Sequence, residues 1–286
     1  MKNNILVTGA LGNVGTEIVK TLLKQGSSVR AADISLDAMQ QRFEGKVEAV
    51  LFDYARPETF VTSFQGIKRM FLMRPPQITD VKKYMFPAID AAKQAGVEHI
   101  VFLSLIGIEQ NQRVPHYAVE QYLLETKIRY TFLRCSFFMQ NLSTTHKNEI
   151  RDNDEIFLPV GYGKTSFIDV RDIAEIAALS LTSTGHENKA YDLTGSEALD
   201  YFEVAKIFSE ILERPIIYRN PSALQFLWRE IRKGTSLAFA VVMTWLYSST
   251  RNGMAAKVTQ DLQQLLGRPS ISLQQYVLDY KDTWTP

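Results

Sequence analysis

Three glycines, spaced three residues apart, follow the first apolar run of the chain. The stretch reads ILVTGALGNVGTEIV (5–19) and places Gly9, Gly12 and Gly15 between a strand-like and a helix-like segment. In such a turn the first glycine permits a tight bend, the second lets the backbone approach a pyrophosphate, and the third allows a helix to pack closely on a sheet. The N–H groups and dipole at the start of that helix favour a phosphate. The pattern predicts dinucleotide binding, a purely structural turn being the alternative.

Carboxylates end the second and third strand-like runs. Asp33 ends SSVRAAD, where a carboxylate can accept both ribose hydroxyls of an adenosine and would repel a 2′-phosphate. No lysine or arginine follows it directly, so the sequence favours NAD(H) over NADP(H), unless an irregular register brings Arg30 to a phosphate. Asp53, in LFDY, can accept from the adenine amino group. Capping of the helix that follows is the alternative for both aspartates.

The helix-like stretch VPHYAVEQYLLE contains no tyrosine with a lysine four residues later, a pair that many dehydrogenases use. In that pair a lysine four residues after the tyrosine lowers its pKa, so that the tyrosine can protonate a carbonyl oxygen. Here Tyr117 is followed at that spacing by Gln121, and Tyr122 by Thr126. Alcohol dehydrogenation and sugar epimerisation are therefore disfavoured. Hydride transfer to a quinone is not, because the acceptor stabilises the negative charge and water can supply the proton.

The same region offers other polar groups for such a reaction. His116 and Glu120 are four residues apart, so we expect His116 to donate a hydrogen bond to the acceptor and Glu120 to orient it. An ordinary i,i+4 pair on a helix surface is the alternative. Tyr117 is a second candidate donor. Ser104 ends the run HIVFLS and is expected over the cofactor, or else caps the strand end.

Other reaction classes lack the residues that they need. His99, His146 and His186 do not have metal-ligand spacing, so no metal site is predicted. Hydrolysis by a Ser-His-Asp triad has no support, because the sequence contains no G-x-S-x-G turn. Cys135, the one cysteine, excludes a disulfide within the chain and is predicted to be a small buried hydrophobe.

Alternating strand and helix patterns position these residues. Near-continuous apolar runs such as MFLM and IVFLS are typical of strands buried on both faces of a parallel sheet. The expected strands are 5–8, 28–33, 47–53, 69–73, 99–104 and 130–133, and the expected helices are 13–25, 36–44, 57–64, 80–95 and 115–126. This alternation predicts an α/β fold of the Rossmann type, with a doubly wound parallel sheet.

The second half of the chain is less regular and is predicted to form a smaller, mainly helical C-terminal substrate domain. We place the dinucleotide-binding domain at 1–155, rejoined by 165–185, and the substrate domain at 186–286. TSFIDVRDIAEIAALSL reads as a strand followed by a helix. The aromatic residues of 221–250 are expected to be mostly core, with a contribution to an apolar cleft. WREIRKG (228–234) is predicted to be a solvated helix end, with a partner or phosphate contact as the alternative.

Composition and charge restrict the kinds of partner that the chain can bind. The chain of 286 residues is 45% apolar and 22% charged, and its formal net charge of +1 gives no field that would draw it to nucleic acid or anionic lipid. The longest apolar stretch, 236–247, is shorter than the roughly 20 residues that a membrane span needs. The N-terminus shows no signal-peptide pattern. We therefore expect a cytoplasmic protein with no nucleic-acid or membrane partner.

Several stretches together resemble the NmrA-like family of atypical short-chain dehydrogenases/reductases. They occur in the family's order over nearly the whole chain: VTGALGNVG, FDYARPETF, MFLMRPP, HIVFLSLIG, FLRCSFFMQN, FIDVRDIAEIAA and LQQYVLDYKDTW. The glycine motif is shared with many families, whereas RPP and FFMQN are more specific. The pattern is similar to NAD(P)H:quinone oxidoreductases of the type related to triphenylmethane reductase.

The resemblance implies that loops at the carboxyl ends of the strands hold the cofactor. It places the phosphates at the glycine turn, the adenosine between Asp33 and Asp53, and the nicotinamide near Ser104 and Phe137. A flat apolar substrate would contact Phe137 and Phe138. The full cofactor set is Thr8, Gly9, Leu11, Gly12, Asn13, Val14, Gly15, Asp33, Asp53, Tyr54, Met73, Arg74, Pro75, Ser104 and Phe137.

Two functional classes fit these residues. The first is an oxidoreductase that passes hydride from NAD(P)H to a quinone-like or other flat apolar acceptor. The second is a non-catalytic sensor of the NAD(P) redox state, as the family also contains, which acts through a protein partner. A homodimer or a regulatory protein is the macromolecular partner that the resemblance allows.

Overall fold

The computed structural model describes residues 5–285. Its strands are β1 (Ile5–Thr8), β2 (Val29–Asp33), β3 (Glu48–Leu51), β4 (Arg69–Leu72), β5 (His99–Leu105), β6 (Arg129–Cys135), β7 (Glu155–Ile156), β8 (Lys189–Leu193) and β9 (Ile217–Tyr218). Its helices are α1 (Asn13–Lys24), α2 (Leu36–Phe43), α3 (Phe60–Phe64), α4 (Val81–Gln94), α5 (Pro115–Thr126), α6 (Gln140–Ser143), α7 (Lys147–Asn153), α8 (Val170–Thr182), α9 (Tyr201–Leu212), α10 (Ala223–Arg232), α11 (Leu237–Thr250), α12 (Asp261–Leu266) and α13 (Leu273–Asp279). Short 3₁₀ turns lie at Pro57–Thr59, Ile108–Gln110 and Lys281–Thr283.

Within residues 5–285, seven strands form one parallel sheet in the order β3-β2-β1-β4-β5-β6-β8. Ile5 of β1 lies opposite Val29 of β2 on one side and Arg69 of β4 on the other. The strand order reverses between β1 and β4, which is where open α/β sheets bind ligands, at the carboxyl ends of the strands. The prediction of a Rossmann-type, doubly wound parallel sheet is confirmed.

The apolar runs of the sequence form the buried centre of this sheet. Leu6, Leu72, Phe102 and Phe132 belong to one cluster, in which α4 and α5 also bury side chains. Burying each side chain of this size contributes roughly 1.5–3 kcal/mol. Helix α8 packs against α1 and buries Ala174, Ala177 and Ala178, whose small side chains let the two helices approach closely.

The chain divides into two compact units, and the first contains the whole seven-stranded sheet. It comprises the chain up to Cys135 together with Val170–Leu193, whereas the second comprises Ser136–Asp169 and the chain from Thr194 onward. These bounds differ from the expected 1–155, 165–185 and 186–286. β8 belongs to the first unit because Lys189 pairs with Thr131 of β6. Residues 136–160 belong to the second because they bury Met139, Leu142 and Ile150 in its core.

The second unit has its own core and a short sheet. Strands β7 and β9 pair in parallel, and Phe208, Tyr276 and Trp284 are fully buried among helices α9 and α13. The strand expected directly before α8 is not formed in the described chain, where Thr165 and Ile168 make only isolated bridges.

Candidate functional site

The glycine turn after β1 is packed too tightly for side chains. Gly9 has a φ of +63°, and a Cβ there would lie 2.6 Å from Cγ of Met73. A Cβ on Gly15 would lie 2.1 Å from the Gly9 carbonyl oxygen, so helix α1 rests directly on the turn. Gly9 and Gly15 are therefore required by close approach, whereas a Cβ on Gly12 would meet only the Gly9 oxygen, at 3.3 Å.

The N-terminus of α1 is open to an anion. Gly12 is its N-cap, no side chain caps the helix, and its first turn carries no acidic residue. The first N–H groups of a helix have no intrahelical partner and form the positive end of its dipole. Gly12 and Asn13 are exposed and Leu11 is half-buried, whereas Val14 and Gly15 are buried.

Asp33, at the end of β2, stabilises the glycine turn after β1. Its Oδ2 accepts from the Leu11 N–H at 2.9 Å, and its Oδ1 accepts from the Ile34 N–H at 2.8 Å. Helix α2 is capped by Ser35 instead, whose hydroxyl accepts from the Ala38 N–H. A carboxylate has about four acceptor sites, so these two bonds leave Asp33 capacity for ribose hydroxyls.

Arg30 is held at the opposite end of β2. Its Nη1 donates to the carbonyls of Thr62, Ser63 and Gln65 at the end of α3, and its Nη2 pairs with Glu48 at 2.8 Å. The irregular register that would bring Arg30 to a 2′-phosphate is not present, because β2 pairs regularly on both sides.

Several residues expected at the cofactor hold the strand ends with their side chains. The buried Thr8 hydroxyl donates to the Phe71 carbonyl at 3.0 Å and accepts from the Met73 N–H at 3.1 Å. The buried Tyr54 hydroxyl donates to the Met73 carbonyl at 2.7 Å, and burial raises the pKa of this phenol. Asp53 accepts from the Ala55 N–H at 2.9 Å and so closes a turn, while no side chain caps the following 3₁₀ helix.

Arg74 ties the loop after β4 to helix α5. Its Nη1 donates to the carbonyls of Pro75, Pro76 and Ile78, and its Nε lies 3.4 Å from Nε2 of His116. Burial lowers the pKa of Arg74, but an arginine stays protonated in proteins. The guanidinium therefore fixes both the loop backbone and the orientation of the imidazole.

His116 is a neutral imidazole with one unused ring nitrogen. It is 9% exposed, and burial, followed by the charge of Arg74, lowers its pKa to about 3. Because Arg74 donates toward Nε2, the proton is assigned to Nδ1. Within residues 5–285, Nδ1 of His116 has no hydrogen-bond partner. A buried N–H without a partner is costly, so Nδ1 lacks the compensation that Arg74 gives to Nε2.

Glu120 joins Ser104 and Arg134 rather than His116. The Ser104 hydroxyl donates to Oε1 at 2.6 Å, and Arg134 grips both oxygens, with Nε 3.1 Å from Oε1 and Nη2 2.7 Å from Oε2. The expectation that Glu120 orients His116 is thus corrected, since both of its oxygens are used by these partners. Burial raises the pKa of Glu120 to about 7, although the Ser104 hydrogen bond lowers it. The bidentate contact with the Arg134 guanidinium is one that the carboxylate form accepts.

Arg134 and its second partner, Glu109, were not identified from the sequence. Arg134 sits opposite Ser104 in the β5–β6 ladder and also contacts the exposed carboxylate of Glu109. The signal was present in FLRCSFF, because a charge within a buried strand must be paired. Tyr117, the second candidate donor, is half-buried.

The two candidate substrate residues belong to the second unit, whereas the candidates described above belong to the first. Phe137 and Phe138 belong to the second unit, where both are half-buried and the Phe137 ring centroid is 6.3 Å from that of Tyr247. Among the described residues, no group of three or more His, Cys, Asp or Glu side chains could hold a metal ion. A search of the same residues finds no helix long and apolar enough to cross a membrane.

The chain matches known proteins over nearly its full length. Residues 1–264 match the model of the NmrA-like family. An NAD(P)H azoreductase of Xenophilus azovorans is 32% identical over 270 residues, which cover 93% of this chain and 94% of that protein.

Solved structures share the fold. The triphenylmethane reductase of Citrobacter sp., crystallised with NADP(H), superposes with a TM-score of 0.86 at 26% identity, over 96% of this chain and 99% of that one. An NADPH-dependent quinone oxidoreductase of Escherichia coli, crystallised with NADPH, gives a TM-score of 0.87 at 23% identity, over 97% and 99% of the two chains. The latter likeness is one of fold alone.

Proposed function

Since this chain belongs to the NmrA-like family, we propose that it is an NAD(P)H-dependent oxidoreductase whose acceptor is a quinone-like or other flat apolar molecule. The resemblance seen in the sequence is confirmed by the family match. The relative that is 32% identical is named for the reduction of azo compounds with NAD(P)H. This relation favours the enzyme over the non-catalytic sensor.

The observation that carries the proposal is the open N-terminus of α1 behind a turn that admits no side chain at Gly9 or Gly15. The turn and the uncapped helix end fit a pyrophosphate, and Asp33 keeps acceptor capacity for a ribose. The bound nicotinamide would supply the hydride. Gly9, Leu11, Gly12, Asn13 and Val14 are assigned to the phosphates on this basis.

The chain's own contribution to the reaction is a positioned hydrogen-bond donor. We assign to Nδ1 of His116 a hydrogen bond to the acceptor atom that gains negative charge. Arg74 is the positioning residue, since its donation to Nε2 keeps the proton on Nδ1. Because the imidazole is neutral, its N–H stabilises the developing charge by hydrogen bonding rather than by full proton transfer.

A hydrogen-bonded cluster lies near the ends of β5 and β6 and consists of Ser104, Glu120 and Arg134. The hydroxyl proton of Ser104 is spent on Glu120, so toward the nicotinamide Ser104 can offer only an acceptor oxygen. The assignment of Met73 and Pro75 to the cofactor, and of Phe137 and Phe138 to the acceptor, stays a prediction.

We further propose a preference for NAD(H) over NADP(H). The carboxylate of Asp33 would repel a 2′-phosphate. The next residue, Ile34, is 69% exposed but apolar, so it offers that phosphate no positive charge. Arg30 is committed to α3 and Glu48. The solved relative with 26% identity was crystallised with NADP(H), so the preference rests on these residues of this chain.

A charge placed at the N-cap of α1 tests cofactor binding without weakening the helix. Aspartate is a favourable N-cap, so Gly12→Asp keeps the fold, while its carboxylate occupies the place of a phosphate. Gly12→Asn is the matched control, with equal size and no charge. We expect calorimetric titration with NADH and NADPH to show binding lost in Gly12→Asp and weakened less in Gly12→Asn, whose side chain crowds the pyrophosphate without repelling it. Affinity equal to the parent's in Gly12→Asp would contradict the phosphate site.

Turnover separates the enzyme from the sensor. Oxidation of NADH and NADPH is followed with a panel of quinones, azo dyes and triphenylmethane dyes. The proposal expects turnover with at least one class. Tight dinucleotide binding without turnover on any of them would favour the regulator instead.

A further inference from the structure

Helices α10 and α11 of the second unit carry a broad apolar surface on their solvent side. Its members are large side chains that are 40–73% exposed: Leu224, Trp228, Ile231, Leu237, Phe239, Val241, Val242, Trp245 and Leu246. The three aromatic rings alone present roughly 300 Å², at 150–250 Å² per ring. The expectation that the aromatic residues of 221–250 are mostly core is wrong for Trp228, Phe239 and Trp245, and holds for Phe226 and Tyr247.

This exposed face is wider than the buried one. On α11 the buried residues Ala240, Met243, Tyr247 and Thr250 follow one another at helical spacing and form a narrow stripe. The remaining large side chains of the helix are apolar and face solvent, and α11 contains no charged residue. Contiguous exposed apolar surfaces of this size mark interaction sites.

The inner side of the pair is held by polar contacts. Tyr247 of α11 lies 2.7 Å from Nε2 of His146, whose Nδ1 is 3.2 Å from Glu149. Lys233, at the end of α10, pairs with Glu149 and, at 3.1 Å, with Glu230. The inner side also buries Phe226 and Met243 in the core of the second unit, so the leucine and tryptophan side chains outside are apolar surface beyond what this core uses.

The exposed charges within residues 222–260 have one sign. Between Ser222 and Gln260 the sequence contains a single acidic residue, Glu230, and this carboxylate is buried and paired. The exposed charged residues of the same stretch are Arg232, Lys233, Arg251 and Lys257. Arg232 and Lys233 precede α11 and Arg251 directly follows it, so cations lie at both of its ends.

We infer that the α10–α11 surface binds the face of an anionic lipid bilayer, with α11 lying in the interface. Tryptophan, phenylalanine and leucine on one side, with arginine and lysine at the rim, is the pattern of helices that bind in the plane of a membrane. Anionic headgroups attract such basic residues.

The contact is peripheral and differs from a membrane span. At 1.5 Å per residue the 14 residues of α11 extend about 21 Å, short of the roughly 30 Å hydrocarbon core. The absence of a spanning helix among the described residues agrees with this. The net charge of +1 suggested no membrane partner because it averages over a chain whose cations are locally concentrated here.

Charge also favours a bilayer over a second copy of this chain. A two-fold contact between identical surfaces would bring two sets of cations together with no exposed acid between Ser222 and Gln260 to pair with them. An anionic bilayer offers the complementary charge and an apolar layer in one partner.

Flotation of the full chain with vesicles tests the inference. We expect the protein to float with vesicles of phosphatidylcholine and phosphatidylglycerol, to stay behind with phosphatidylcholine alone, and to be partly released by salt. Tryptophan emission should shift to the blue, because Trp228 and Trp245 are half-exposed whereas Trp284 is buried.

Matched variants assign the effect to the surface. Trp228→Ser with Trp245→Ser should lower vesicle affinity about tenfold or more, and Arg232→Glu with Arg251→Glu should abolish the preference for the anionic lipid. Leu278→Ser, which removes a half-exposed leucine from α13, should change neither. Thermal melts should stay close to the parent, because every changed side chain is on the surface.

Two results would overturn the inference. One is no flotation with the anionic vesicles while dinucleotide binding is intact. The other is a dimer in sedimentation equilibrium that the double tryptophan variant dissociates, since the occupant of the surface would then be a second copy.

Discussion

Each unit buries a histidine and a glutamate in polar surroundings, and the two sets differ in whether their hydrogen-bonding capacity is used. In the second unit both ring nitrogens of His146 have partners, Glu149 and Tyr247. In the first, His116 receives Arg74 at Nε2, and its Nδ1 has no partner in the described chain. A saturated cluster holds helices together, whereas the unpartnered Nδ1 of His116 is the atom that we propose as the hydrogen-bond donor to the acceptor.

The two glutamates differ in the cation that holds them. Arg134 beside Glu120 has a side chain that is 15% exposed, whereas Lys233 beside Glu149 is 39% exposed. Burial raises the pKa of both carboxyls. At Glu149 the His146 hydrogen bond and Lys233 outweigh burial and lower the pKa below its usual value.

Removing each glutamate is the largest expected effect. Glu120→Ala leaves the guanidinium of Arg134 with the exposed Glu109 as its remaining carboxylate partner, so we expect the free energy of unfolding to fall by about 3 kcal/mol, the lower end of the cost of breaking a buried ion pair. Glu149→Ala should cost less, about 1–3 kcal/mol, because Lys233 keeps Glu230 and can reach solvent. Urea unfolding measures both. Glu109→Ala, which removes the exposed partner of Arg134, is the control and should cost under about 1 kcal/mol. If the two alanine variants lost equal free energies of unfolding, the two glutamates would not differ in how strongly their cations depend on them.

The same substitution at the two histidines should have opposite consequences. His116→Phe removes the open donor, and we expect kcat to fall about 100-fold with little change in dinucleotide affinity. His146→Phe should leave kcat near the parent value and lower stability by about 1–3 kcal/mol, because Tyr247 loses its partner inside the core. Steady-state kinetics and urea unfolding of both variants provide the readout. Tyr117→Phe controls for the second candidate donor, and a loss of turnover there instead of at His116 would move the assignment.

Acid should destabilise the protein through buried neutral histidines of the first unit. Burial lowers the pKa of His116 to about 3 and that of His99 to about 4, whereas both titrate near 6.5 when unfolded. The unfolded chain therefore binds the extra protons, so the stability is fully present above pH 6.5 and is lost as the pH falls toward the folded values. Between pH 6.5 and 5 each histidine should cost about 2 kcal/mol, at 1.36 kcal/mol per unit. His116→Phe should flatten the pH dependence of urea unfolding, and a slope parallel to the parent would contradict a neutral imidazole.

The parallel sheet and the glycine turn could be predicted because both depend on residue patterns within short stretches of sequence. ILVT, MFLM and HIVFLSL are apolar runs of strand length, and they became β1, β4 and β5 with ends shifted by at most one residue. The bounds of the units could not be predicted, because whether Lys189–Leu193 joins the sheet depends on its pairing with β6, a contact between distant segments.

The partners of the polar residues were the least predictable feature of the site. The spacing of His116 and Glu120 on one helix suggested a pair, but Arg134 and Ser104, from neighbouring strands, satisfied the carboxylate instead. A bidentate, charge-assisted contact is stronger than an i,i+4 pair on one helix. Sequence spacing shows which residues share a helix face, whereas the competition among partners is decided by tertiary structure.

Cofactor selectivity is the smallest expected effect, and it extends the comparison to charges within the first unit. Arg30 and Asp33 lie at opposite ends of β2, and Arg30 is engaged by three carbonyls and Glu48 while Asp33 retains acceptor capacity. Asp33→Asn with Ile34→Arg keeps an oxygen for the Leu11 N–H, removes the negative charge and adds a cation. We expect the ratio of kcat/KM for NADPH to that for NADH to rise by about tenfold, since a 2′-phosphate is no longer repelled. Ile34→Arg alone should give a smaller rise, because the carboxylate still opposes the phosphate. Arg30→Gln should leave this ratio unchanged. If Arg30→Gln changed the ratio as much as the double variant does, the 2′-phosphate would lie near Arg30, and the proposed ribose site at Asp33 would be contradicted.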